Sequence, residues 1–188
     1  IDLEKFPPGD EHFEFPSLFS IGAMDWMPNS EGIRWFLDEV WPLIHEKFPD
    51  LPYYIAGRHM PDWLTRCRRA NVKVVGEVEC ARDFMHSKAI MIVPLLSGSG
   101  IRIKIIEGMA AGKCIVSTSI GAEGIHYEDG KNIKIADSPE AFADAVSVLM
   151  DKESCLKMGR EARKLIENEY RSDQIIAKLT SFYQKTGS

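Results

Sequence analysis

The fold is decided by the stretch Val93–Thr118, which reads VPLLSGSGIRIKIIEGMAAGKCIVST. It starts at the end of a short apolar run, passes through Ser97-Gly98-Ser99-Gly100, and continues into a segment with helical periodicity. Gly112 is suited to end that helix, and a second apolar run, Ile115–Ser117, follows at once. The order of strand, glycine-rich loop, helix and strand predicts one βαβ unit with two parallel strands.

The same alternation extends over most of the chain. Short apolar runs rich in β-branched and aromatic residues predict buried strands at Leu18–Gly22, Tyr53–Ala56, Val72–Val75, Ile90–Val93, Ile115–Ser117 and Ile133–Ile135. Helical patterns between them predict helices from Asn29 or Ser30 to about Lys47, from Pro61 to near Ala70, and at Ala81–Ser87, Ile101–Ala111 and Ser138–Met150. We therefore predict an α/β fold, with a Rossmann-like parallel sheet of about six strands and helices on both faces.

The two ends of the chain carry different patterns. Residues 1–16 are rich in proline and have no clear period, so we interpret them as a linker or edge segment. After Asp151 the pattern is purely helical, with apolar stripes at Leu156–Ile166 and Ile175–Phe182. Residues 17–188 therefore predict one domain that ends in helices packed against the sheet.

Composition limits the classes of function. Of the 188 residues, 45% are hydrophobic and 27% charged, which is typical of a soluble globular protein. A net charge of -5 with scattered basic residues argues against nucleic-acid binding. The four cysteines include no CxxC pair and the five histidines show no ligand spacing, so we expect neither a disulfide framework nor a metal site.

The compartment and extent of the chain are also expectations at this point. No apolar run is long enough to cross a bilayer and no signal peptide leads the sequence, so the expected location is the cytoplasm. The first residue is Ile1 rather than Met, which indicates a fragment of a longer protein.

Ligands of open α/β sheets bind at the carboxyl ends of the strands. This rule selects five loops: Ala23–Asn29, Gly57–Met60, Gly76–Cys80, Leu95–Ile101 and Thr118–Gly124. The glycines of the fourth loop allow close approach of a ligand, and the following helix offers free N–H groups to an anion. A plain loop with a helix cap has the same sequence pattern, so the motif alone leaves both interpretations open.

Three charged residues favour the binding interpretation. Arg102 and Lys104 lie at the start of the predicted helix, where a cation is unfavourable by about 0.3–1 kcal/mol unless an anion is near. Glu107 lies among isoleucine, methionine and alanine, where a carboxylate needs a partner from the protein or from a ligand.

This segment resembles the donor site of the retaining GT-B glycosyltransferases (glycosyl transferases group 1). Glu107 matches the second of two glutamates that the family spaces eight positions apart, and in the family it binds the donor ribose. The first glutamate falls at Ser99; a subgroup replaces it with a glycine-rich turn followed by Arg-x-Lys, as at Arg102 and Lys104. Many members also carry an arginine and a lysine that contact the pyrophosphate, near the positions of Ala23 and Glu31 here.

The resemblance covers nearly the whole chain. Phe19–Asn29 is similar to the first strand and loop of the family's C-terminal domain, and Val74–Val78 to the region that flanks the nucleobase. Ser119–Gly124 resembles the family's next loop, and Asp173–Gln184 its terminal helix. The resemblance implies three catalytic residues, Arg102, Lys104 and Glu107, and a donor-binding set of Gly22, Ala23, Gly57, Arg58, Gly76, Glu77, Val78, Ser97, Gly98, Ser99, Gly100, Ile101, Glu107, Gly121 and Glu123.

The resemblance also implies an activity. Such a domain binds a nucleotide diphosphate-sugar, and with a separate N-terminal acceptor domain it transfers the sugar to a hydroxyl group with retention, in carbohydrate or polysaccharide biosynthesis. It implies no metal or other cofactor, no activity of the isolated domain, and peripheral membrane contact only through the missing half. Two alternatives remain open: a nucleotide-sugar epimerase of the same fold, for which Glu123 and His126 are the nearest acid–base candidates, and a non-catalytic binding domain of this fold.

Overall fold

The computed structural model, which describes residues 1–7 and 13–170, contains one parallel sheet. Its strands are β1 Glu14–Ile21, β2 Tyr53–Ala56, β3 Val72–Gly76, β4 Lys88–Val93, β5 Cys114–Ser117 and β6 Lys134–Ile135. Their order is β3-β2-β1-β4-β5-β6, and every neighbouring pair is parallel. The predicted α/β fold with about six parallel strands is confirmed.

Helices cover both faces of the sheet. They are α1 Met27–Trp35, α2 Trp41–Lys47, α3 Asp62–Thr65, α4 Ala81–His86, α5 Ile103–Ala110, α6 Pro139–Val148 and α7 Lys152–Glu169. A π-helical turn, Phe36–Val40, joins α1 to α2, and a 3-10 turn lies at Leu3–Lys5.

Two hydrophobic cores lie on opposite sides of the sheet. Successive strand residues point to opposite faces, so β4 sends Ile90 and Ile92 into one core and Met91 and Val93 into the other. The first core lies beneath α1, α2 and α6, and the second beneath α4, α5 and α7. Burial on both faces explains why the inner strands β2, β4 and β5 are largely apolar.

Several helix boundaries differ from the sequence prediction; α6, for example, ends at Val148 rather than Met150. Helix α1 begins at Met27, with Pro28 in its first turn, so neither Asn29 nor Ser30 caps it. Helix α3 ends at Thr65 rather than near Ala70, and the Arg68 guanidinium donates hydrogen bonds to the carbonyls of Thr65 and Cys67 just after it. Helix α5 begins at Ile103, two residues late, with Arg102 as its N-cap.

The C-terminal helical pattern is partly described. Helix α7 is one continuous helix of 18 residues. It buries Met158, Ala162 and Ile166 of the predicted stripe, whereas Leu156 and Leu165 are half-buried and Cys155, which precedes the stripe, is buried. The predicted stripe at 175–182 and the resemblance at 173–184 lie outside the described residues. Within the described chain, no helix has both the length and the apolar character needed to cross a membrane.

Candidate functional site

A cleft of about 430 Å³ opens at the carboxyl ends of β1 to β4. The chain winds outward from β1 to β3 on one side and then crosses to β4 on the other, so this is the switch point where open α/β sheets bind ligands. The cleft is lined by Ile21, Gly22, Ala23, Gly57, Arg58, Glu77, Val78, Glu79, Ala81, Met85, Lys104 and Glu107. Eight of these are predicted site residues, which the fold brings together from the loops after β1, β2 and β3 and from helix α5.

The floor of the cleft is main chain. A Cβ at Gly57 would lie 1.8 Å from the carbonyl oxygen of Gly22, so the first two loops touch backbone to backbone. The Gly57 amide donates a hydrogen bond to the carbonyl of Gly76 at 2.7 Å, which adds the third loop. Gly57 has φ +144° and Gly76 φ +80°, conformations that glycine adopts without strain. Gly76 therefore supports the floor without lining the cleft.

Lys104 supplies a cation at the α5 side of the cleft. Its Nζ donates a 2.5 Å hydrogen bond to Oδ1 of Asn29 on α1. Burial, together with the neighbouring positive charge of Arg102, lowers the pKa of Lys104 to about 7. A lysine in this state binds a proton readily when an anion arrives.

Glu107 lies one turn further along α5 and is half-buried at the cleft. Burial raises the pKa of its carboxyl group above the usual value. Within residues 1–7 and 13–170, no group donates a hydrogen bond to this carboxylate and no cation pairs with it. Its acceptor capacity is therefore free for a ligand with hydroxyl groups.

Arg102 lies apart from the cleft lining. The side chain is only 5% exposed, and it turns back on the preceding loop, where Nη1 donates to the Gly100 carbonyl at 2.7 Å. The guanidinium carbon lies 5.3 Å from the centroid of the Trp26 ring, close enough for a cation–π contact. Its Nε and Nη2 atoms are buried without a hydrogen-bond partner among the described residues.

The other predicted residues of this region surround the cleft without lining it. In the loop after β4, Ser97 donates to the Glu31 carboxylate at 3.1 Å, and Gly98, Ser99, Gly100 and Ile101 are exposed. In the loop after β5, Gly121 is buried and its amide is already bonded to the Thr118 hydroxyl. Glu123 in that loop is exposed. These two loops form the rim on the β4–β5 side.

Sequence reasoning missed five residues at or beneath the cleft. Ile21, Glu79, Ala81 and Met85 line it, and Asn29 lies beneath Lys104. The available signal was position, because Ile21 is the last residue but one of the predicted strand Leu18–Gly22 and Glu79 lies in a selected loop. For Asn29 the signal was Pro28, which places the helix start before it. In the described part of the chain, no three His, Cys, Asp or Glu residues are grouped to hold a metal ion.

Comparison with known proteins gives the class of this fold. The C-terminal domain of a glycosyl transferase group 1 protein (LpcC) from Francisella tularensis aligns over 92% of this chain and 99% of its own, with a TM-score of 0.74 and 16% identity. A variant of S. aureus TarM, solved with UDP, alpha-GlcNAc-glycerol and fondaparinux, aligns over 95% of this chain and 37% of its own, with a TM-score of 0.79 and 18% identity. The fold is that of a GT-B glycosyltransferase C-terminal domain.

The family follows from the sequence comparison. Residues 15–152 match the model of the glycosyl transferases group 1 family. The chain belongs to that family. An uncharacterized 44.6 kDa protein in the cps region of Klebsiella pneumoniae is 26% identical over 164 residues, which are 81% of this chain and 42% of that protein. The chain thus spans less than half the length of this relative.

Proposed function

We propose that this chain is the donor-binding half of a glycosyltransferase that moves a sugar from a nucleotide diphosphate-sugar to a hydroxyl acceptor with retention. The observation that carries the proposal is the cleft at the sheet's switch point, which joins a glycine floor to Lys104 and Glu107. Membership of the glycosyl transferases group 1 family supports the class of reaction.

The diphosphate would lie at the α5 side of the cleft. Helix α5 begins without a side-chain cap, so its first-turn N–H groups are available to an anion. Lys104 adds a cation beside them. Together these groups would stabilise the charge that develops on the departing nucleotide diphosphate.

The nucleoside would occupy the rest of the cleft. The free carboxylate of Glu107 would accept hydrogen bonds from the ribose hydroxyls. Val78 lies between Glu77 and Glu79 in the loop after β3, on the side of the cleft where the base would be flanked. Arg58 is exposed at the mouth of the cleft and would meet charge that extends outside. The UDP named for the TarM variant supports UDP as the first nucleotide to test.

The acceptor site would come from a separate N-terminal domain of the same protein. Large apolar side chains stay exposed around the carboxyl edge of the sheet, at Trp26, Met27, Leu96, Ile101 and Ile103. Exposed apolar patches of this kind mark surfaces that another domain covers. We therefore propose that the isolated domain binds nucleotide without transferring sugar. We also propose that the protein works in the cytoplasm and needs no metal or other cofactor. Any peripheral membrane contact would come from the N-terminal domain.

The epimerase alternative receives no support from the geometry. An epimerase needs acid–base groups beside the sugar. Glu123 and His126 are both exposed outside the cleft lining, and the His126 imidazole lies 3.0 Å from the Glu169 carboxylate.

Calorimetric titration with UDP, GDP and ADP tests the proposal. We expect saturable binding of one nucleotide, weakened about tenfold or more in Glu107→Ala, because a hydrogen bond to a charged group contributes about 1.5–3 kcal/mol. Glu46→Ala is the matched control, since that glutamate is exposed on α2. Absence of saturable binding to all three nucleotides would favour the non-catalytic alternative. Isomerisation of a nucleotide-sugar by the longer protein without acceptor would favour the epimerase.

A further inference from the structure

The side-chain amide of Asn29 is a buried polar group that lies directly beneath the cleft. The residue is 7% exposed and lies in the first turn of α1. Its Nδ2 donates to the carbonyl of Ala23 at 2.8 Å, and its Oδ1 accepts the hydrogen bond from Lys104 Nζ. An ammonium group only donates and a carbonyl only accepts, so these two partners determine which end of the amide faces each of them.

The first loop is shaped to admit this amide. A Cβ at Gly22 would lie 2.7 Å from Asn29 Nδ2, inside normal contact distance. Gly22 therefore serves two purposes, because it lines the cleft on one side and makes room for the Asn29 side chain on the other. The amide joins the loop after β1 to helix α5, which lie on either side of the switch point.

The uncharged amide of Asn29 accepts a hydrogen bond from Lys104 and does not cancel the positive charge of the ammonium group. Asn29 is the one hydrogen-bond acceptor of Lys104 Nζ within the described chain, and no carboxylate there forms an ion pair with it. The charged groups around it are Arg102 in the preceding turn and, along the cleft lining, Arg58, Glu77, Glu79 and Glu107. A carboxylate in the place of Asn29 would orient the ammonium equally well but would cancel its charge.

We propose that Asn29 is a positioning residue, which holds the Lys104 ammonium at the diphosphate end of the cleft and leaves its charge available to the donor. The proposal rests on the proposed function for the identity of the anion, but the contact itself is testable without nucleotide. Asn29 acts through Lys104 and does not touch the donor.

Two substitutions at Asn29 distinguish its effect on the position of the Lys104 ammonium from its effect on the charge of that group. Asn29→Asp keeps the shape but places a carboxylate beside Lys104, and an opposite charge at this distance raises a lysine pKa by about 1–3 units. The pH at which Lys104 becomes reactive should rise by that amount, and UDP should bind at least about tenfold more weakly because the carboxylate repels phosphate. Asn29→Ala removes the acceptor, so UDP affinity should fall while the labelling pH does not rise.

The experiment is acetylation of Lys104 across a pH series, measured by peptide mass spectrometry on this chain, with parallel UDP titrations. The C-terminal domain of LpcC, which has the same fold and a similar extent, was crystallised as a separate domain, and this supports measurement on this chain alone. Asn132→Ala is the matched control, because Asn132 is also a buried asparagine with a side-chain hydrogen bond, to the Glu128 amide. It should leave both the labelling midpoint and UDP binding unchanged.

The Lys104 labelling midpoint tests the contact with Asn29, and the UDP affinity tests its effect on donor binding. An unchanged Lys104 labelling midpoint in Asn29→Asp would overturn the positioning proposal, whatever happens to UDP affinity. A raised midpoint together with weaker UDP binding would support it. If the unaltered chain binds none of UDP, GDP and ADP and Asn29→Asp still raises the midpoint, the contact between Asn29 and Lys104 is supported, but its role in holding charge for a diphosphate is overturned together with the proposed function.

Discussion

Binding of a nucleotide diphosphate should draw a proton into the cleft, and Lys104 is the group that takes it up. Burial lowers the pKa of this lysine to about 7. At pH 8 only about one tenth of the nucleotide-free domain therefore carries the charge. A diphosphate beside Nζ favours the charged form and should raise the pKa by about two units.

The magnitude follows from these two values. With a pKa of about 9 in the complex, about nine tenths of the lysine is charged at pH 8, so binding takes up about 0.8 of a proton. Charging Lys104 in the free domain at pH 8 costs about 1.4 kcal/mol, and the affinity should fall about fivefold between pH 7 and pH 8. The terminal phosphate of UDP ionises near pH 6, so it contributes little in this window.

The assay is UDP titration calorimetry at pH 8 in buffers with different ionisation enthalpies, which gives the number of protons exchanged. Lys104→Met should bind UDP weakly with almost no proton uptake. Lys157→Met is the control, because Lys157 is exposed on α7 and lies outside the cleft lining. Uptake near zero in the unaltered domain, or the same uptake in Lys104→Met, would refute the assignment of the proton to this lysine.

Three further substitutions test the framework around the site. Gly57→Ala places a methyl group 1.8 Å from the Gly22 carbonyl at a φ of +144°, so urea unfolding should show a loss of about 3 kcal/mol; a loss under about 1 kcal/mol would contradict the close backbone contact. Phe142→Ala leaves a cavity at a fully buried position and should lower the free energy of unfolding by about 3–5 kcal/mol. A melting temperature within about one degree of that of the unaltered chain would contradict this expectation. Arg102→Lys lacks the planar donor fork that bonds the loop carbonyls, so amide exchange at 97–101 should accelerate; unchanged protection there would mean that Arg102 does not order this loop.

The sheet was predictable because a strand that is buried on both faces has a short run of consecutive apolar residues in the sequence. Tyr53–Ala56 has the same bounds in the sequence pattern and in β2, since each of its residues is buried. Strand β1 was less predictable: it begins at Glu14, four residues before the apolar run. Glu14 joins the sheet through Lys88 and Tyr54, and partners so distant in sequence leave no periodic signal.

The site was predictable as far as topology determines it. Gly57 was selected because it follows a strand end, and Lys104 because it begins the helix after a glycine-rich loop. Glu107 was selected because it lies among apolar residues and matches the family's second glutamate. All three line one cleft. The contact of Asn29 with Lys104 joins residues 75 positions apart, and no spacing rule indicates it. The direction of Arg102 was also hidden, because the loop before it folds back through Gly100 at φ +83° and carries the guanidinium away from the cleft lining.

The main-chain floor of the cleft has a consequence for how this family diversifies. A surface built from carbonyls and amides carries no side-chain identity, so selection at Gly22 and Gly57 acts only against adding atoms. Positions outside the core and the polar residues of the cleft can then change without altering the floor, provided Gly22 and Gly57 stay small. Distant relatives should accordingly keep the shape of the floor long after most of the surrounding sequence has changed, and their differences in donor preference should be sought in the walls.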